Sequence, residues 1–179
     1  MINIYNRNNI TDILPPNSIG CELGVFEGEF SSILWNSNKF SKLYLVDIFA
    51  GKAYNFGKKY KDASVLENIV RSKFIDNDDI IINKIDSVSF LQSIPDKYFD
   101  FIYIDTTHSY ETTKLELEES LRCVKPNGYI CGHDYTNKYF PGVVHAVNEF
   151  CTKYGFTISV TQQEEQYPSF IIKNENTIS

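Results

Sequence analysis

The sequence predicts an α/β fold, in which a mostly parallel β-sheet is covered by helices on both faces. Apolar strand-like runs alternate with segments of helical periodicity along most of the chain. The last two strand-like runs are joined by a short connection, which suits an antiparallel hairpin because a parallel crossover needs about a dozen residues or more. A length of 179 residues suits one domain with one core. We therefore expect a single domain over residues 1–179, with an N-terminal cap at 1–17.

Each predicted element follows from its own local pattern. The strands are predicted at 18–23, 42–48, 79–84, 99–105, 129–132, 156–161 and 169–172. The helices are predicted at 30–36, 64–74, 87–93, 110–123 and 143–154, where apolar residues recur at helical spacing. The K-P-N-G segment at 125–128 is predicted to stop a helix and turn into the fifth strand. The Gly-, Lys- and Tyr-rich residues 50–62 are predicted to form a loop or a lid over the substrate.

Composition and charge exclude several classes of protein. A formal net charge of −6 argues against a general nucleic-acid binder, because phosphates require clustered Lys and Arg. No apolar run approaches the ~18–20 residues of a membrane span, and no basic start precedes an apolar leader. The four cysteines lack the C-x-x-C spacing of zinc and redox sites. We therefore expect a reduced, cytoplasmic protein that acts on neither nucleic acid nor membranes.

A glycine-containing segment joins the first predicted strand to the first helix. It reads E-L-G-V-F-E-G from Glu22 to Gly28, and Gly24 and Gly28 allow tight turning and close approach to a ligand. In open α/β sheets, ligands bind at the carboxyl ends of the strands where the strand order reverses, and the first strand is the expected reversal point. Asp47 ends the second strand, 23 residues after Gly24, where an acid can accept hydrogen bonds from ribose hydroxyls.

Two further loops carry ionisable side chains at the ends of the fourth and fifth strands. Residues 105–111 read D-T-T-H-S-Y-E, and residues 132–135 read G-H-D-Y. The ionisable candidates are Asp105 and His108 in the first loop, and His133 and Asp134 in the second. These loops lie at the same edge of the predicted sheet as Gly24, so their polar groups are expected to converge on one site. Ionisable residues on loops over a rigid scaffold are typical of function.

The E-x-G-x-x-x-G segment resembles the cofactor-binding motif of class I S-adenosylmethionine (SAM)-dependent methyltransferases. The resemblance implies a Rossmann-like, mostly parallel seven-stranded sheet with a C-terminal antiparallel hairpin. It also implies that Glu22, Gly24 and Gly28 contact the methionine part of SAM, and that Asp47 binds the ribose. The pair Asp86-Ser87 follows the third strand, where this family contacts the adenine; capping of the next helix explains the pair equally well.

The loops at 105–111 and 132–135, followed by G-V-V-H-A-V-N-E-F from Gly142, resemble the macrocin- and mycinamicin-type sugar O-methyltransferases over roughly residues 18–150. That resemblance implies a Mg²⁺ ion held at the positions of Asp105, His133 and Asp134, with His108 as the base that takes the hydroxyl proton. His133 stands where those enzymes carry an acid. The site therefore suits Mg²⁺, or Mn²⁺ or another transition ion, or it holds no metal and His133 orients or deprotonates the substrate.

These observations lead to one expected function and several alternatives. We expect SAM-dependent methylation of a hydroxyl on a small acceptor, a sugar or a sugar-bearing metabolite, by a chain that can form a homodimer. A metal-independent O- or N-methyltransferase is the nearest alternative, and a non-catalytic SAM-binding domain is another. A nicotinamide oxidoreductase shares the fold class, but the glycine segment lacks G-x-G-x-x-G.

Overall fold

A seven-stranded sheet forms the centre of the computed structural model, which describes residues 2–50, 54–55, 58–59, 64–163 and 166–175. Its strands are β1 (Ser18–Leu23), β2 (Phe40–Asp47), β5 (Ile80–Lys84), β6 (Phe99–Ile104), β7 (Val124–Gly132), β8 (Ile158–Val160) and β9 (Phe170–Lys173). A separate antiparallel pair comprises β3 (Tyr54–Asn55) and β4 (Lys58–Lys59). The helices are a 3₁₀ helix (Arg7–Ile13), α1 (Glu29–Asn36), α2 (Ser64–Lys73), α3 (Ser87–Ser93), α4 (Tyr110–Cys123) and α5 (Pro141–Tyr154).

The strand order confirms the predicted fold class. The strands lie in the order β5-β2-β1-β6-β7-β9-β8. Neighbours from β5 to β7 pair in parallel, whereas β9 is antiparallel to both β7 and β8. The chain fills the sheet outwards from β1 to β2 and β5, then returns to the other side of β1 with β6 and β7. The order therefore reverses between β1 and β6, which is where open α/β sheets bind ligands.

Apolar side chains cover both faces of the sheet, and this fixes the register of its strands. Ile102 of β6 lies in one apolar cluster with Leu117 of α4, while the adjacent Phe101 lies in a second cluster with Leu34 of α1. All four of these side chains are fully buried. Because successive residues of a strand point to opposite faces, a slip by one residue would exchange the two clusters. The helices thus hold the strand ends at fixed positions.

The N-terminal 3₁₀ helix closes one side of this sheet. Ile10 and Leu14 are buried in the same cluster as Phe101, and the Asn6 side chain caps the helix by accepting from the Asn8 N–H at 2.9 Å. This packing places the start of the helix beside the carboxyl ends of the strands. Most of the lid predicted at 50–62 lies outside the described residues.

Strand β7 is longer than the sequence predicts. It begins at Val124, so the prediction of a turn at 125–128 is wrong. The segment bulges from its pairing with β6, yet stays in the sheet because the Asn127 N–H donates to the Asn174 carbonyl at 2.7 Å and the Asn174 N–H donates to the Gly128 carbonyl at 2.9 Å. Pro and Gly mark a bulge here rather than a turn. The bonding partner Asn174 directly follows β9, far along the chain and beyond the reach of a local pattern.

Two further sequence expectations concern cysteines and membranes. Cys21, Cys123, Cys131 and Cys151 are all buried and free. Free cysteines in such positions behave as small apolar side chains. In the part of the chain that the structure describes, no helix combines the length and the apolar character needed to cross a bilayer.

Candidate active site

A cavity of about 910 Å³ opens at the carboxyl ends of β1, β2, β5 and β6. Its volume lies within the range of small-molecule and cofactor sites, about 300–1,000 Å³. The cavity wall includes seven residues that the sequence predicts for the site: Glu22, Gly24, Asp47, Asp86, Ser87, Asp105 and His108. The topology therefore brings together segments that are far apart in the chain.

The turn after β1 depends on glycine at position 24. Gly24 has a φ of +87°, and a Cβ there would lie 1.9 Å from the carbonyl oxygen of Asp105. Gly28 has a φ of +72° and is the N-cap of α1, but a Cβ there would meet Phe74 at 3.3 Å and Val70 at 3.4 Å. Gly28 does not line the cavity. The structure thus places it between α1 and the α2 region, and its cofactor contact stays a prediction.

Asp47 fixes the shape of the glycine turn. Its Oδ2 accepts from the N–H of Val25 at 2.8 Å and of Phe26 at 3.1 Å, and its Oδ1 accepts from the Phe49 N–H at 2.7 Å. A carboxylate offers about four lone-pair sites, so these bonds leave roughly one free, on Oδ1. Phe26 and Phe49 have φ values of +54° and +43°, which are costly for aromatic residues and persist only where their surroundings hold them.

Glu22 lies buried at the end of β1, with 2% of its surface exposed. Burial raises the pKa of Glu22 to about 8, although the hydrogen bond from the Ser31 hydroxyl lowers it. A buried carboxyl with a raised pKa favours a cationic ligand group, because such a group stabilises its ionised form. Glu22 is thus a buried acid in the cavity wall, close in sequence to the glycine turn.

The Asp86-Ser87 pair both begins a helix and lines the cavity. The Asp86 Oδ1 accepts from the Ser89 N–H at 2.9 Å, so Asp86 is the N-cap of α3. Both residues also line the cavity. Capping is thus observed, and the adenine contact of the pair stays a prediction.

His108 stands between two carboxylates beside the cavity. Its Nε2 lies 2.7 Å from Oδ2 of Asp134 and 3.4 Å from Oδ1 of Asp105. Asp105 follows β6 and Asp134 follows β7, and these strands are neighbours in the sheet. His108 and Asp134 have φ values of +59° and +61°. Backbone strain of this kind is typical of functional sites that the fold holds in place.

The carboxylates determine the charge on His108. Burial alone lowers the pKa of His108, but the hydrogen bonds and charges of Asp105 and Asp134 outweigh it and raise the pKa to about 9. Burial raises the pKa of Asp134, but hydrogen bonds from His108 and His133 outweigh it and lower the pKa to about 2. His108 is therefore a cation at neutral pH, and it is paired with the ionised Asp134.

These residues offer a set of ligand atoms for a divalent cation. One oxygen each from Asp105 and Asp134 and a ring nitrogen of His108 lie within 4.8 Å of one another. His133 Nδ1 lies 3.3 Å from Asp134 Oδ1 and 3.9 Å from Asp105 Oδ2. The structure thus brings the predicted ligands Asp105, His133 and Asp134 together, and adds His108. Two oxygens and a nitrogen fit a divalent ion with mixed preferences, such as Mn²⁺, better than an all-oxygen Mg²⁺ site.

Sequence reasoning missed two residues that bear on the site. Arg7 lines the cavity, with its guanidinium 4.2 Å from the centre of the Phe30 ring and 3.7 Å from Asp105 Oδ2. Glu116 is a fully buried acid of α4 that contacts the cavity wall through Ser87 and Thr106. No motif marks either residue in the sequence. Arg7 lies before the first strand, and Glu116 is one of several acids in its helix.

Aromatic side chains that do not line the cavity pack near His108 and His133. The Phe140 ring is 4.5 Å from the His108 ring, and Tyr167 lies 6.0 Å from Phe140 and 6.3 Å from His133. Tyr139 packs 5.3 Å from Tyr167 and is 40% exposed. The two histidines thus sit next to a rim of exposed and half-buried rings.

Comparison with known proteins places this geometry in context. A family model described as a methyltransferase domain matches residues 21–135, which is more than half of the chain. A search of curated protein sequences found no match.

Three of the many solved structures that share the fold illustrate its range. SMU.1697c from Streptococcus mutans, in complex with S-adenosylhomocysteine (SAH), has a TM-score of 0.68 at 13% identity, covering 93% of this chain and 94% of that one. The N-methyltransferase NodS from Bradyrhizobium japonicum has a TM-score of 0.62 at 15% identity, covering 94% and 90%. Spermidine synthase from Thermotoga maritima has a TM-score of 0.65 at 12% identity, covering 90% and 55%. Because proteins with this fold carry out varied chemistry, the fold alone does not identify the group that accepts a methyl.

Proposed function

This chain belongs to the methyltransferase domain family, and we propose that it transfers the methyl group of SAM to a hydroxyl oxygen of a small acceptor, a sugar or a sugar-bearing metabolite. The observation that carries the proposal is the position of His108, held between Asp105 and Asp134 beside the cavity. A purely cofactor-binding domain needs no such proton acceptor. Two adjacent carboxylates beside it suit an acceptor that presents neighbouring hydroxyls.

The charges around the cavity match those of SAM. Among the described residues, the wall carries six acids, Glu22, Glu27, Glu29, Asp47, Asp86 and Asp105, and a single arginine or lysine, Arg7. SAM carries a cationic ammonium, a cationic sulfonium and an anionic carboxylate. We assign the ammonium to the side of Glu22 and the carboxylate to Arg7, which is the wall residue that suits an anion best.

The nucleoside part of SAM has a matching set of residues. Asp47 keeps roughly one acceptor site on Oδ1 after its three backbone bonds, so we assign it one ribose hydroxyl. The adenine is assigned to the end of the cavity formed by Asp86, Ser87 and the apolar side chains around them. Gly24 lets the turn after β1 pack directly against the Asp105 carbonyl, which holds this part of the cavity wall in shape.

Methyl transfer requires an oxygen nucleophile in line with the methyl–sulfur bond. The acceptor oxygen forms the new bond to the methyl carbon, the carbon–sulfur bond breaks, and SAH leaves. The hydroxyl proton goes to His108, whose Nε2 faces Asp134 and Asp105. Correct placement of the acceptor lowers the barrier to such a displacement substantially.

The proposed base must first release to solvent the proton that Asp105 and Asp134 hold on it. A divalent ion bound by Asp105 and Asp134 would supply the positive charge that makes an acceptor hydroxyl more acidic. A cation bound to Asp105 and Asp134 would also offset the negative charge that holds the proton on His108, so the pKa of His108 would fall. We therefore include a divalent ion in the proposal, with Asp105, His133 and Asp134 as its ligands, so that His108 is left to take the proton.

A labelled-methyl assay tests the proposal. The protein is incubated with methyl-labelled SAM and a panel of small glycosides with adjacent hydroxyls, each paired with its amino-sugar analogue. We expect label on oxygen of at least one glycoside, loss of transfer in EDTA, and recovery with Mg²⁺ or Mn²⁺. Transfer to the amino analogues alone would contradict the oxygen assignment, and transfer unaffected by EDTA would contradict the metal.

A further inference from the structure

Glu116 is a buried carboxyl group that the proposed chemistry does not use. It lies on α4 with none of its surface exposed. Its Oε1 accepts from the Ser87 hydroxyl at 2.5 Å, and the Thr106 hydroxyl donates to Oε1 and Oε2 at 2.8 and 2.9 Å. Ser87 begins α3 after β5, and Thr106 follows β6. One carboxyl group thus ties together two loops that both line the cavity.

These bonds determine whether two hydroxyl groups in the cavity wall donate or accept hydrogen bonds. A hydroxyl has one proton to donate and lone pairs with which to accept. When Glu116 is ionised, the Ser87 and Thr106 protons are both directed at it. Ser87 and Thr106 can then only accept hydrogen bonds from a ligand, so the matching ligand group must be a donor.

Apolar side chains near these hydroxyls suit a flat ring. Ile48 and Leu115 line the same cavity, and each is 54% exposed. Val88 lines the cavity next to Ser87. Exposed apolar surface inside a cavity is typical of a binding site for an apolar or aromatic group. Acceptor hydroxyls beside such surface favour a heteroaromatic ring with an exocyclic amino group.

We propose that Glu116 is a positioning residue that holds the Ser87 and Thr106 hydroxyls as acceptors, so that the cavity selects adenine over a base carrying a carbonyl at the same position. The inference rests on the proposed function, since it takes SAM and SAH as the ligands. Glu116 acts through the two hydroxyls rather than by contact with the cofactor.

The test compares SAH with S-inosylhomocysteine, in which a carbonyl replaces the amino group of the base. The calorimetric titrations are done at pH 8.5, where Glu116 is ionised. Burial raises the pKa of Glu116 to about 7, although hydrogen bonds from Ser87 and Thr106 offset part of that rise. We expect the wild type to bind SAH about 100-fold more tightly, since a site built to accept a hydrogen bond rejects a ligand without the donor. In Glu116→Gln, the amide N–H₂ donates to one hydroxyl and turns that proton towards the cavity. The preference for SAH is then expected to fall to about 10-fold or less.

Two further variants make the result interpretable. Glu118→Gln on the same helix is the matched control, because Glu118 bonds to Lys153 and Tyr154 instead of the cavity wall; it should keep the wild-type preference. If Glu116→Gln fails to fold, as judged by its melting curve, Ser87→Ala should lower the preference in the same direction. If Glu116→Gln lost affinity for both ligands equally and kept the wild-type preference, this inference would be overturned but the proposed function would not. A wild type that binds neither ligand would overturn the proposed function and the inference with it.

Discussion

His108→Ala is expected to lower kcat by about 10²–10⁴-fold while the Kd for SAM changes by no more than about threefold. The imidazole is the group placed to take the acceptor proton, and its Nε2 points at Asp134 and Asp105 rather than at the glycine turn. A base that acts only during transfer contributes to kcat and little to cofactor binding. Single-turnover rates with bound SAM, and calorimetry with SAM alone, measure the two quantities separately.

His145→Ala is the matched control for this variant. His145 lies on α5, is exposed and stacks on Tyr110 at 4.8 Å, and it does not line the cavity. Its replacement should leave both kcat and the Kd for SAM unchanged. A His108→Ala enzyme that keeps its rate, or that loses SAM affinity as strongly as rate, would show that the catalytic site has been placed incorrectly.

Gly24→Ala is expected to abolish SAM binding and to destabilise the protein by about 3 kcal/mol or more. A left-handed backbone costs an alanine roughly 1–2 kcal/mol, and the new Cβ would also lie 1.9 Å from the Asp105 carbonyl oxygen. The clash must displace either the glycine turn or the start of the loop that follows β6. Both segments line the cavity, so its shape cannot survive either movement.

Gly155→Ala separates backbone strain from the clash. Gly155 ends α5 with a φ of +71°, close to that of Gly24, but a Cβ there meets nothing within 4 Å. It should cost only the roughly 1–2 kcal/mol of a left-handed alanine and leave SAM affinity unchanged. Thermal melting and calorimetry on both variants measure these effects. Equal melting temperatures and equal SAM affinities in the two variants would contradict the role assigned to Gly24.

The sequence predicts the arrangement of the site well where strand topology alone decides it. Parallel strands end at a common edge, so Gly24, Asp47, Asp105 and Asp134 were expected close together once their strands were identified. The structure brings them together in this way. The local patterns around them, a glycine pair and acids at strand ends, are short-range signals that survive in a single sequence.

Long-range contacts were beyond such reasoning. In the sequence Glu116 resembles the other acids of its helix, and only the packing of α3 against α4 shows that its carboxyl is buried against Ser87. Arg7 precedes the first strand, and its place in the cavity depends on the burial of Ile10 in the core. The bulge at 125–128 depends on a strand formed by later residues. In each case the deciding partner is distant in the chain and carries no motif.

Calorimetric titration of the purified protein with SAM, in the presence of EDTA, tests the central claim most directly. The account predicts saturable binding at one site per chain without any metal, because the residues assigned to SAM lie on the glycine turn and the β2, β5 and N-terminal segments of the cavity. A subsequent titration with Mn²⁺ or Mg²⁺ should then show separate, saturable binding of the ion. No heat of SAM binding up to about 1 mM ligand, the weak end of the usual affinity range, would contradict the account.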